Sequence, residues 1–166
     1  MYLTKAGLVL ALGLFIGDCG PTTPNTKSNP NANQTSSSAP ALKISYPAAD
    51  SKVEMKEVVR GTSQNIPAGQ KIWVAIYNQA VSRYYPQDNQ ADVQAYGNWA
   101  GATAFGIPQD KGKDLKFDVL AVTVDKNAEA EFEKYLSQAR GTNDYPGLQQ
   151  LPPGTTIYDR LTVTRK

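Results

Sequence analysis

The chain has no histidine and only one cysteine, Cys19, among its 166 residues. These two shortages exclude much chemistry. Zinc and copper sites built from clustered Cys and His ligands have no material here. A Ser-His-Asp or Cys-His nucleophile is equally out of reach. One cysteine cannot close an internal disulfide, so any domain exported to an oxidising compartment must be held by its core alone. Charge of one sign is also scarce, since 17 Lys and Arg against 15 Asp and Glu leave a formal net charge of +2. The basic residues are spread along the chain, which gives no support for nucleic acid or an anionic lipid surface as partner. No glycine-rich loop links a strand to a helix in the phosphate-binding manner, and no run of oxygen ligands has EF-hand spacing. No cofactor and no metal is expected.

Long hydrophobic runs are missing too. The one apolar stretch, AGLVLALGLFIG (6–17), follows a short start carrying Lys5. At about a dozen residues it is well short of the roughly 20 needed to cross a bilayer as a helix. This layout is that of a secretory leader. Its end, Ile16-Gly17-Asp18-Cys19, resembles the lipobox of bacterial lipoproteins, although Asp18 stands where that family has a small residue. The resemblance implies cleavage before Cys19, acylation of Cys19, and a chain tied to the membrane of a bacterial cell envelope, facing the periplasm or the exterior. The alternative is a secretory leader cut elsewhere. Residues 20–41, GPTTPNTKSNPNANQTSSSAPA, contain no large apolar residue. Such a stretch cannot offset its chain entropy by burial, so the reading is a signal peptide at 1–18, a disordered tether at 19–41 and a domain at 42–166.

Within 42–166 short apolar runs alternate with turn residues, the pattern of an all-β domain. Strands are expected at LKISYP (42–47), KVEMKEVVRG (52–61, with Val53, Met55 and Val59 inward), KIWVAIY (71–77) and SRYYPQ (82–87, an edge stopped by its proline). Four more follow near VQAY (93–96), WAGATAF (99–105), DLKFDVLAVTV (114–124) and TTIYDRLTVTR (155–165). In the last, Ile157, Leu161 and Val163 should share one side, with Tyr158, Arg160, Thr162 and Thr164 on the other. About eight strands in this length suit an immunoglobulin-like two-sheet sandwich. One segment breaks the pattern. KNAEAEFEKYLSQARG (126–141) places Ala128, Phe132, Tyr135, Leu136 and Ala139 on one helical stripe. Asn127 can cap this amphipathic helix, which precedes the last strand, and Arg140 with Gly141 suits its exit. Its stripe should cover the outer side of KIWVAIY and FDVLAVTV, both apolar on two faces.

The ordered set NIPAGQKIWVAIY, RYYPQ, GNW, FDVLAVTVD, LPPG and YDRLTVTR resembles a group of bacterial extracytoplasmic Ig-like domains, over nearly all of residues 42–165. The resemblance implies the fold and a secreted, surface or membrane-anchored setting without an assigned catalytic role. It supplies no functional residue.

Two groups could carry function. Asp118, Asp125 and Asp159, with Arg83 and Arg160 as partners, could form the paired carboxylates of a hydrolase, though acids on strands are more often exposed or salt-bridged. Asp159 and Arg160, being neighbours on a strand, should face opposite ways. Arg83, Tyr84 and Tyr85, joined by Trp99, could form a surface for a protein or a cell-envelope polysaccharide. Trp73 and Trp99 also read as packing residues. The expected function is a non-catalytic binding or structural module held at the envelope, with a carbohydrate-binding module using Tyr84 and Tyr85 as the alternative.

Overall fold

The computed structural model describes residues 38–106 and 112–166; the expected leader, Cys19 and most of the expected tether lie outside these. Ser38–Pro40 have no regular structure. The elements that follow are β1 (Ala41–Tyr46), β2 (Lys52–Val53), β3 (Lys56–Gln64), β4 (Lys71–Asn78), β5 (Arg83–Gln90), β6 (Asp92–Val93), β7 (Asn98–Ala104), β8 (Lys116–Val124), α1 (Lys126–Thr142) and β9 (Thr155–Arg165). They form a four-stranded sheet, in the order β1-β3-β7-β6, packed on a five-stranded sheet, in the order β2-β9-β8-β4-β5. The protein is an all-β sandwich with one inserted helix.

β4 and β8 pair at the middle of the larger sheet and are buried on both faces. Their inner face meets the smaller sheet through Ile72, Val74, Ile76, Phe117, Val119 and Ala121, packed with Leu42, Val59, Trp99, Phe105 and Val163. Their outer face, with Trp73, Ala75, Leu120, Val122 and Val124, is roofed by Ala128, Phe132, Tyr135, Leu136 and Ala139 of α1, as the helical stripe predicts. Phe132 meets the Trp73 ring edge-on at 5.3 Å. Each large apolar side chain so buried contributes on the order of 1.5–3 kcal/mol, which is how a chain without disulfides keeps a fold.

The helix ends differ from expectation. Asp125, not Asn127, is the N-cap: its backbone is extended, and Oδ1 accepts the N–H groups of Asn127 and Ala128, both at 2.9 Å. A carboxylate there satisfies orphan donors and faces the positive helix end, which an amide two residues further in, already inside the helix, cannot do. The LPPG turn is built around this cap. A Cβ on Gly154 (φ 89°) would lie within 2.5 Å of three Asp125 carboxylate atoms. At the other end Asn143, at φ 54°, closes the helix where Gly141 was expected to. Asparagine tolerates the left-handed conformation, so Gly141 stays helical.

Three strand expectations change as well. The run 52–61 is two strands in two sheets: β2 pairs in parallel with β9, and the chain crosses at Glu54–Met55 into β3. The strand near 93–96 shrinks to Asp92–Val93, because Tyr96 (φ 62°) and Gly97 (φ 75°) turn the backbone at once. Pro86 does not stop β5, which continues to Gln90; on an edge strand a missing N–H costs little. In β9 a bulge opposite Ala121–Val122 reverses the alternation, leaving Ile157 44% exposed while Tyr158 packs on the inner core.

Both open sides of the sandwich are closed by a side chain reaching between sheets. Asp159 Oδ2 of β9 accepts the Ile44 N–H of β1 at 2.8 Å. Gln87 Oε1 of β5 accepts the Ala104 N–H of β7 at 2.7 Å. Edge N–H groups that would template another strand are thereby occupied. Gly61 allows Trp99 to close the inner core, since a Cβ there would lie 2.3 Å from the indole ring.

Candidate binding site

Residue type changes partway along each strand of the outer face. On β8 the outward positions run Val124, Val122 and Leu120, then Asp118 and Lys116. On β4 they run Trp73 and Ala75, then Tyr77; past its bulge β9 continues with Arg160, Thr162 and Thr164. The apolar group is roofed by α1. Tyr77 packs against the edge of the roofed cluster, and the β9 members of the polar group are half-exposed or exposed.

Asp118 is the centre of this open group and is 3% exposed. Thr162 Oγ1 and Gln79 Nε2 each donate to its Oδ1 at 2.7 Å. Arg160 Nε donates to Oδ2 at 3.0 Å, and Arg160 Nη2 donates to the same oxygen. Burial alone would push the Asp118 carboxyl up. The hydrogen bonds from Thr162, Arg160 and Gln79, with the charge of Arg160, outweigh it and hold the pKa below the ordinary aspartate value. Arg160 also stands over the Tyr77 ring, 5.3 Å from its centroid, and Tyr77 packs against Tyr84 with ring centroids 4.7 Å apart. A buried acid and an aromatic ring thus fix the plane of a guanidinium whose side chain is 48% exposed. Two of its five N–H donors are used by Asp118, and the others have no partner among the described residues. The arrangement can present a planar cation, already oriented, to an acceptor group arriving from solvent.

Of the residues singled out in the sequence, Asp118, Arg160 and Tyr84 come together here. The others do not. Tyr85 pairs with Ile76 and packs on the inner core, where burial raises its pKa. Tyr84 and Tyr85 therefore cannot form one platform, because successive strand residues face opposite ways. Arg83, at the start of β5, donates from Nη1 to the neighbouring Ser82 carbonyl at 3.4 Å. Trp99 is 1% exposed and packs against Gly61, so it leaves the binding group and takes the packing role instead. Asp125 is the helix cap. Asp159 lies at the sandwich side, bonded to Ile44 N and 3.4 Å from Lys43 Nζ, on the face opposite Asp118. Asp118 and Asp159 do not flank a common site, as paired carboxylates acting on one bond must. Among the described residues no three Cys, His, Asp or Glu side chains gather to hold a metal.

Sequence reasoning missed Tyr77, Gln79 and Thr162 as members of the site. Tyr77 and Thr162 lie directly across from Asp118 on its two neighbouring strands, a register visible only once β4, β8 and β9 are paired. A concave feature elsewhere, an open groove of about 390 Å³ beside α1, is lined by Lys71, Trp73, Gln90, Glu129, Glu133 and Arg140. Lys71 is already committed there to Glu129 at 2.6 Å. No family model and no curated protein matches the chain.

Proposed function

We propose that this protein is a lipid-anchored, extracytoplasmic binding module of the bacterial cell envelope, non-catalytic, which engages its partner through the open half of the outer sheet face. The observation that carries the reading is Arg160, oriented by Asp118 and Tyr77 while its side chain stays 48% exposed. Such preorganisation lowers the ordering cost of binding. Acylated Cys19 would supply the membrane attachment, and the resemblance to Ig-like envelope domains agrees with that setting. The partner is a protein or a polysaccharide of the envelope; the aromatic contribution comes from Tyr77 and Tyr84, not from Tyr84 with Tyr85.

Photo-cross-linking in intact cells tests the surface. A photoreactive residue in place of Thr164 should give a cross-linked product that Arg160→Ala abolishes. The same residue in place of Val58, exposed on the smaller sheet, should give none. Equal products from both positions, or none from either, would refute the assignment. The anchor is tested separately by the intact mass of membrane-extracted protein, where a chain starting at Cys19 with a diacylglyceryl addition is expected and an unmodified mass refutes it.

A further inference from the structure

Three cations far apart in the sequence meet on the open face. Lys116 of β8, Thr164 of β9 and Lys52 of β2 form one row across the sheet, through the pairings Lys116↔Thr164 and Lys52↔Thr164. Their neighbours Phe117, Arg165 and Val53 are buried toward the smaller sheet, so Lys116 and Lys52 are on the outer side, and both are exposed. Neither lysine has an ion-pair partner among the described residues, whereas Lys43, Lys71, Lys134 and Lys166 all do. Arg160 is on the same face, four residues from Thr164 along β9. The one acid buried in this face, Asp118, is already matched by Arg160. Of the acids two residues from the lysines, Glu54 is paired with Lys166, Asp118 with Arg160, and Asp50 and Asp114 sit in turns, Asp50 donating its N–H to the Thr162 carbonyl.

We infer that this face binds an extended anionic polysaccharide. The inference rests on the proposed binding role of the open face and names its ligand chemistry. Strand spacing puts the two lysine Cα atoms about 10 Å apart, with Arg160 about 13 Å from the row. The threonine hydroxyls of 162 and 164 lie between them. Sparse cations separated by hydroxyls match a glycan whose acid groups are separated by uncharged, hydroxyl-bearing sugars. A nucleic-acid duplex, with one charge per roughly 1.7 Å, would leave most of its phosphates unmatched. An open sheet face is suited to an extended ligand lying along it, and α1 covers the other half of that face.

Binding of the full-length, detergent-extracted chain to immobilised polygalacturonate provides the test, with dextran, poly-glutamate and duplex DNA as comparison matrices. Retention on polygalacturonate, released by salt and absent on dextran, is expected. The double variant Lys52→Glu, Lys116→Glu should weaken it at least tenfold, and Lys52→Gln, Lys116→Gln by less. The control Lys126→Glu, Lys134→Glu, on α1, should leave it unchanged, with circular dichroism verifying that all variants fold. Equal retention on dextran, or no loss in the charge-reversed variant, overturns the inference. Equal or tighter binding to poly-glutamate or DNA also overturns it, and would assign the face to an acidic protein or a nucleic acid. Should polygalacturonate not bind while the Thr164 cross-link still depends on Arg160, the glycan is wrong and the binding face stands. Should both fail, the face itself is wrong.

Discussion

The outer face of the five-stranded sheet has two halves built on the same strands. Under α1 it carries Trp73, Ala75, Leu120, Val122 and Val124, with Tyr77 packed at the border; the rest carries Lys116, Asp118, Arg160 and Thr162. The first half is closed by a helix of this chain. The second keeps an organised polar network with nothing from the described chain roofing Arg160. A solvated sheet edge needs only scattered polar residues to stay soluble. A buried acid that takes four hydrogen bonds and orients an exposed arginine exceeds that requirement. The contrast therefore separates a half whose residues stabilise the fold from a half whose residues prepare a surface, and mutations should respect the division.

The largest effect is expected in the roofed half. Phe132→Ala removes the ring that meets Trp73 and opens a cavity between helix and sheet. It should cost about 3–5 kcal/mol, seen as a drop in the urea midpoint and in Tm. A loss below about 1 kcal/mol would mean that α1 is not a structural part of the sandwich.

Next comes the centre of the open half. Asp118→Ala removes a buried carboxylate that accepts four hydrogen bonds from Thr162, Gln79 and Arg160, and should cost about 1–3 kcal/mol. Its pH dependence is the sharper readout. The folded pKa of Asp118 lies below its unfolded value. Its stabilisation is therefore complete above the ordinary aspartate pKa, about 3.9, and is lost as the pH falls from there through the lower folded value. Urea midpoints of the protein and of Asp118→Asn should converge on acidification and separate near neutrality. A gap that is constant with pH would remove the ionised network from the site.

A smaller effect tests the turn that launches the last strand. Gly154→Ala forces a Cβ against the Asp125 carboxylate at a positive φ, and should cost about 1–2 kcal/mol by disturbing the cap. Asp125→Ala should cost about 1 kcal/mol. If the two losses add fully in the double variant, the turn and the cap are independent and the LPPG segment has another reason to be there.

Most of the roofed half was legible in the sequence. The two-faced apolar strands, the helical stripe and the need for one to cover the other are all periodic signals, and they placed α1 on β4 and β8 without a structure. Legibility ended where geometry depends on register. Asp118 and Arg160 are 42 residues apart, and only the β8–β9 pairing, with its bulge, turns Arg160 toward Asp118 and Ile157 outward. Lys52 and Lys116 looked scattered for the same reason: cross-strand rows have no periodicity along the chain. Tyr84 and Tyr85 failed as a pair on a point the sequence did contain, since adjacent residues of a strand face opposite sides. The crossing at Glu54–Met55 left no comparable signal. Val53 and Val59 are both buried at a spacing that one straight strand would also give.

The smallest effect on stability is expected from the row that completes the open half. Lys52→Ala and Thr164→Val remove no buried hydrogen bond or ion pair among the described residues, and Lys52 is exposed. Each should change stability by less than about 0.5 kcal/mol, measured by urea unfolding. If these residues serve the surface, the Lys52→Ala chain should fold as before while binding more weakly to polygalacturonate, the inverse of Asp125→Ala, which should fold less stably and bind unchanged. A Lys52→Ala chain as destabilised as Asp125→Ala would erase the distinction between the halves, and the polar row would then be part of what holds β2 to β9.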